Sequence, residues 1–167
     1  MTTVDPRVII KAVNPGGARL GFDLVGAETR AGGAGGWEAL ARPRRTATVE
    51  WAGVPPLTLT LPLMLSGAQQ SGPPTSIEAP LRILEDVWCK PHPRTRRPPI
   101  LQVTGLPWGV WRHLWVINDA IGYGDVMRGD NGHRVQVEFT LSLLEYVAPS
   151  VLRRPTARAR ANRSSSR

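Results

Sequence analysis

Leucine occupies every odd position from 57 to 65, with Thr58, Thr60, Pro62 and Met64 between. An extended chain turns successive side chains to opposite faces, so this run predicts a strand with one continuous leucine face. A helix would scatter the same leucines around its circumference. Near the C-terminus the pattern returns: Val135, Val137, Phe139, Leu141 and Leu143 alternate with Gln136, Glu138, Thr140 and Ser142. Two long strands, each with a whole face to cover, demand a layered or closed β architecture. Between them the period changes, and Ile77, Leu81, Leu84 and Trp88 follow helical spacing, with Val87 widening the stripe. The stretch 51–147 therefore reads as a hairpin ending in the leucine strand, then one amphipathic helix, then a long closing strand. The predicted fold class is mainly β (α+β): an antiparallel sheet or barrel-like domain with one packed helix, extended loops and a basic C-terminal tail.

The remaining elements follow from local signals. Residues 7–13 are rich in β-branched side chains, and Asn14-Pro15-Gly16-Gly17 is a turn. Leu20, Phe22 and Leu24 continue as a second strand, closing a first hairpin. Residues 26–45 lose periodicity, and the glycine-rich run 31–36 predicts a flexible loop. Residues 46–51 form the hairpin's first arm. Pro62 lacks an N–H, which places it at a sheet edge or a bulge. Thr75-Ser76-Ile77-Glu78 has the spacing of a capping box, Glu78 sits four residues before Arg82, and the helix stops before Pro91. Four prolines make 90–99 an extended loop. Residues 100–104 and 111–117 are strands, 118–133 is a long hairpin connection, and 134–147 exceeds a usual strand, predicting a bend or a projecting arm.

Charge is unevenly placed. Of the net +8, six charges come from Arg153, Arg154, Arg158, Arg160, Arg163 and Arg167, with no acid between them. The domain division expected is a β domain over 1–150 and an arginine-rich tail over 151–167. No apolar run reaches the roughly 18 residues of a membrane span, so no membrane partner is expected. The lone Cys89 makes no internal disulfide, which fits assembly in a cytosol.

Little in the sequence points to reaction chemistry. The glycine run has no following Lys-Ser/Thr and fails as a phosphate loop. His92, His113 and His133 lack metal-ligand spacing, Asp130-Asn131-Gly132 is turn chemistry, and no Gly-x-Ser-x-Gly occurs. No catalytic residue, metal or cofactor is assigned, and the chain is not expected to be an enzyme. Of the six tryptophans, Trp51 and Trp88 fall on periodic faces and read as core. Trp108 and Trp111 flank a glycine turn and read as exposed anchors of a protein interface. The candidate subunit interface is Trp108, Trp111 and Pro62 with Arg153, Arg154, Arg158, Arg160 and Arg163. The alternative reading is a nucleic-acid-binding module acting through the arginine tail, whose log–log salt slope would approach about −0.9 per phosphate contact.

The order of several segments carries a resemblance. Arg44-Arg45 leads to Glu50-Trp51-x-Gly53, then to Leu57-x-Leu59-x-Leu61-x-Leu63 and a helix. Pro98-Pro99-Ile100-Leu101 follows, and Val135-x-Val137-x-Phe139-x-Leu141 ends in Leu144-Glu145-Tyr146-Val147. Over 44–147 this resembles the N-terminal domain of LysM-containing tail and baseplate proteins of tailed phages and contractile injection systems. The resemblance implies a structural virion component, assembled in the host cytoplasm, that helps join tail tube to baseplate or hub. It also implies partners: identical subunits in a ring, six by analogy, other tail proteins, and a separate LysM-like subunit. In place of the LysM signature, this chain continues as Ala148-Pro149-Ser150-Val151-Leu152 into the arginines, so LysM binding does not carry over.

Overall fold

The computed structural model describes residues 7–67, 75–107 and 109–148. Among the described residues ten strands run in chain order: β1 Arg7–Asn14, β2 Gly16–Leu24, β3 Thr29–Ala31, β4 Trp37–Arg42, β5 Arg45–Trp51, β6 Thr58–Ser66, β7 Ile100–Thr104, β8 Leu114–Ile117, β9 Gly122–Arg128 and β10 Arg134–Glu145. Six of them, in the order β6-β2-β1-β7-β8-β10, close into an antiparallel barrel through the β6–β10 pairing. β3 and β9 extend the sheet outside the ring, and β4 with β5 forms a separate two-stranded sheet.

The leucine run is the barrel's spine. β6 alternates half-buried and buried residues along its whole length, and Leu59, Leu61 and Leu63 are fully buried. Nine consecutive pairs tie it to β10, from Gln136↔Ser66 to Leu144↔Thr58. β10 alternates in the same way, burying Val137, Phe139, Leu141 and Leu143 against the same cluster. Phe22 of β2 meets Phe139 edge-on, with ring centroids 5.6 Å apart. Burial of this kind is worth about 25 cal/mol per Å² of apolar surface, which makes the barrel leucines the main stabilising set.

Several expectations are corrected here. The leucine strand does not form a hairpin with β5. It pairs with β10 on one side, and with β2 and β3 on the other. Pro62 lies within the barrel wall, not at an edge. Its carbonyl accepts from Val25 N at 3.1 Å, so its N–H-less nitrogen faces the gap between β2 and β3, where the ladder asks for no donor. β10 projects no arm: β9 pairs along its first half and β8 along its end. The connection expected over 118–133 contains a strand, β9, so the hairpin turn shortens to the Asp130-Asn131-Gly132 segment.

The helix runs as α1 (Glu78–Arg82) and continues through a π-helical segment, Ile83–Trp88. Ile77, Leu81, Leu84 and Trp88 are buried as the spacing predicts. Val87 is 45% exposed, because the wider π turn carries it off the stripe that Leu84 and Trp88 share. The capping box does not form, and Ile77 is the N-cap with no side-chain cap. Glu78 instead takes Arg134 Nε at 2.9 Å and Nη2 at 2.7 Å, and accepts the Arg134 backbone N–H at 3.3 Å. A half-buried two-pronged ion pair outcompetes both a reach back along the helix and an exposed contact with Arg82. Arg134 opens β10, and its carbonyl accepts from Ile77 N at 3.0 Å, so this one residue anchors the helix start to the barrel.

Candidate assembly surface

β4 and β5 form an arm outside the barrel. Its register pairs Trp37 with Trp51, Glu38 with Glu50, and Ala39 with Val49. The two-residue period therefore places Trp37, Ala39, Val49 and Trp51 on one face and Glu38 and Glu50 on the other. Nothing among the described residues covers the apolar face: Trp37 is 63%, Val49 63% and Trp51 53% exposed. The two indoles pack edge-on at 5.2 Å. Trp51 is thus not a core residue; its period-two face belongs to the arm, not to the barrel.

The glycines at the arm's root are there for space. A Cβ on Gly36 would stand 1.8 Å from the Gly53 carbonyl oxygen, and one on Gly32 would stand 2.3 Å from that of Pro56; both have positive φ. The chain from β3 to β4 crosses the 53–56 segment at backbone contact, with Gly33 N donating to Pro55 O at 3.0 Å and Ala52 N to Gly36 O at 2.7 Å. The run read as a flexible loop is a close crossing, and at Gly32 and Gly36 only glycine fits.

Glu145, at the end of β10, holds this root to the barrel. Its Oε2 accepts the Leu57 N–H at 3.0 Å, its own N–H donates to Leu57 O at 2.8 Å, and its Oε1 lies 2.6 Å from His113 Nδ1. The Leu57 N–H, and then His113, hold its carboxyl below the usual range. Leu57 and Glu145 also help line a groove of about 710 Å³, together with Val54, Pro55, Pro56 and Val147.

A second free margin is β9. It stands at the end of the sheet order with every residue exposed. Barrel closure removes edges from the ring itself, so the described edges available to another chain are those of β9, β3 and the arm.

The sequence-predicted sites are scattered. Trp111 lies in the 3-10 turn Val110–Arg112, 51% exposed, with the Arg112 guanidinium 5.0 Å from its ring centroid. Pro62 is half-buried in the barrel wall, and a Cβ on Gly26 would meet its ring at 3.1 Å. Trp108, Arg153, Arg154, Arg158, Arg160 and Arg163 lie outside the described residues. The surface that sequence reasoning missed is the arm. Its signal was present as Trp37-x-Ala39 and Val49-x-Trp51, but the preceding glycine run hid the first half.

A groove of about 540 Å³ lies beside the helix, lined by Trp88, Cys89, Glu85, Tyr123, Ile117 and Asp119 among others. Tyr123 donates to Glu85 Oε1 at 2.6 Å. Burial, and then Glu85, push the Cys89 thiol up, away from the thiolate that reactivity requires. The buried Trp88 Nε1 has no hydrogen-bond partner among the described residues. No group of three or more His, Cys, Asp or Glu among them is arranged to hold a metal ion.

The fold defines a class: a closed six-stranded antiparallel β-barrel carrying one packed helix and an external two-stranded arm. No protein-family model matches the chain, and no curated protein matches it.

Proposed function

We propose that this chain is a structural subunit of a phage-type tail, joining tail tube to baseplate or hub through ring-forming contacts between identical copies. The observation that carries the reading is the uncovered apolar face of the β4–β5 arm. Isolated two-stranded hairpins are marginal in water, and an arm with two exposed tryptophans on one face gains most when another surface covers it. An arm on one part of a subunit and its receiving surface elsewhere make a head-to-tail contact, and such contacts close into rings when the rotation permits. The resemblance over 44–147 supplies the tail context and the expected neighbours, including a separate LysM-like subunit. Antibody labelling of intact particles tests this reading: label at the tail tube–baseplate junction is the expected result. Particles that assemble and infect normally without the chain would overturn it.

A further inference from the structure

We infer that the tip of the β4–β5 arm seats in the groove beside the helix of a second copy of this chain. Its arginines meet Glu85 and Asp119 there, and its apolar face lies against β9 of that copy. This rests on the assembly reading above, for which it supplies the receiving surface.

The tip carries charge that its own chain does not balance. Arg42 and Arg45 are directly opposed across the two strands, and Pro43-Arg44 is the two-residue turn between them. All three arginines are exposed, with no acid in ion-pair range among the described residues. Like charges in directly opposed positions destabilise a strand pair. Arg44 also holds φ +58°, at a turn position where glycine is usual. Neither feature helps the arm to fold alone, and an anionic surface that meets the tip offsets both.

The groove of about 540 Å³ has the complementary charge. Glu85 and Asp119 are its only charged lining residues, set among Trp88, Pro98, Ile117 and Tyr123. Asp119 has no cation in ion-pair range among the described residues, and the one at Glu85, Arg134 at 3.8 Å, is committed to Glu78. Carboxylates among aromatic and apolar walls suit a guanidinium, which stacks on rings while it donates to oxygen. β9 starts at the rim of this groove, and Tyr123 belongs to both. Met127 lies four strand steps further on, about 13 Å, and both it and Val126 are exposed. On the arm, Val49 likewise lies four steps, about 13 Å, from Arg45. Charge and apolar surface therefore recur at matching intervals on the two surfaces. The outer edge of β9 has no strand partner among the described residues, so the arm can extend the sheet there.

The test uses the full chain with p-benzoylphenylalanine in place of Pro43, which keeps all three arginines. Isotopically heavy and light chains are mixed, irradiated and mapped by mass spectrometry. Adducts from position 43 to 85–89 or 117–123 are expected, and they include heavy–light pairs. Sedimentation velocity on unlabelled chains reads the electrostatic share. Arg44→Glu with Arg45→Glu, or Asp119→Arg alone, is expected to raise the dissociation constant about tenfold, and the chain carrying all three changes to recover most of that loss. Heavy–light adducts elsewhere, adducts confined to single chains, or association indifferent to the reversals overturn this contact and leave the assembly reading standing. A wild-type chain that never self-associates overturns both.

Discussion

Replacing both arm tryptophans, Trp37→Ala with Trp51→Ala, is expected to weaken self-association by two to three orders of magnitude while leaving the barrel folded. A buried tryptophan hides about 150–250 Å², so with Trp37 63% and Trp51 53% exposed the pair leaves roughly 170–290 Å² in water. At about 25 cal/mol per Å² the gross gain on covering it is about 4–7 kcal/mol. Most of that offsets lost translational and side-chain freedom, and the surplus for one central anchor is about 2 kcal/mol, or roughly 30-fold in affinity. The cost to the barrel is small by comparison. Neither residue belongs to the buried cluster, and the edge-on pair itself is worth about 0.5–1.5 kcal/mol, all of it within the arm. Sedimentation velocity across a concentration series, with urea unfolding on the same samples, separates the two effects. The expected outcome is a dissociation constant raised by two to three orders of magnitude with an unchanged unfolding midpoint. Wild-type association, or a midpoint that falls with it, would refute the assignment of the arm as a contact surface independent of the barrel.

The remaining predictions concern the fold that carries the arm. Leu61→Ala empties a fully buried site in the middle of the β6–β10 ladder and is expected to cost about 2–5 kcal/mol, read from the urea midpoint. Gly36→Ala drives a Cβ into the Gly53 carbonyl, and hydrogen exchange is expected to show residues 37–51 opening while barrel amides stay protected. Arg134 holds the Glu78 carboxyl down from 4.5 to about 2, so its stabilisation is complete above pH 4.5 and is lost as pH falls toward 2. Melting curves are expected to show that Glu78→Gln flattens the pH dependence in that window; an unchanged acid limb contradicts the Arg134 anchor.

What could be read from the sequence follows from where burial supplies a pattern. β6, β10 and the stripe Ile77, Leu81, Leu84, Trp88 are buried on one face, so periodicity alone marked them. β9 is exposed at every residue, and Gly122 and Gly124 break its alternation, so no periodic signal remained. The arm did carry a period of two, but without a core to face, Trp51 was assigned to the wrong surface. Partner choice was equally hidden: β5 precedes β6 in sequence as a hairpin arm would, yet it pairs back onto β4 through the turn closed at Arg42↔Arg45, and the prolines at 55–56 and the close glycine crossing separate it from β6. Pro62 shows the same limit. Which side of a strand needs a donor depends on the register of both neighbours, and no local signal encodes that. The helix terminus failed for an energetic reason, since Arg134, fifty-six positions away, offers Glu78 more than its own N-cap does.

On the proposed reading this chain works by presenting surface to sister subunits. Electron microscopy of the purified chain over a range of concentrations tests it most directly. Closed rings are expected, with the β4–β5 arm at each subunit boundary. Single particles of monomer size at every concentration, with the arm tryptophans free in solution, would contradict it.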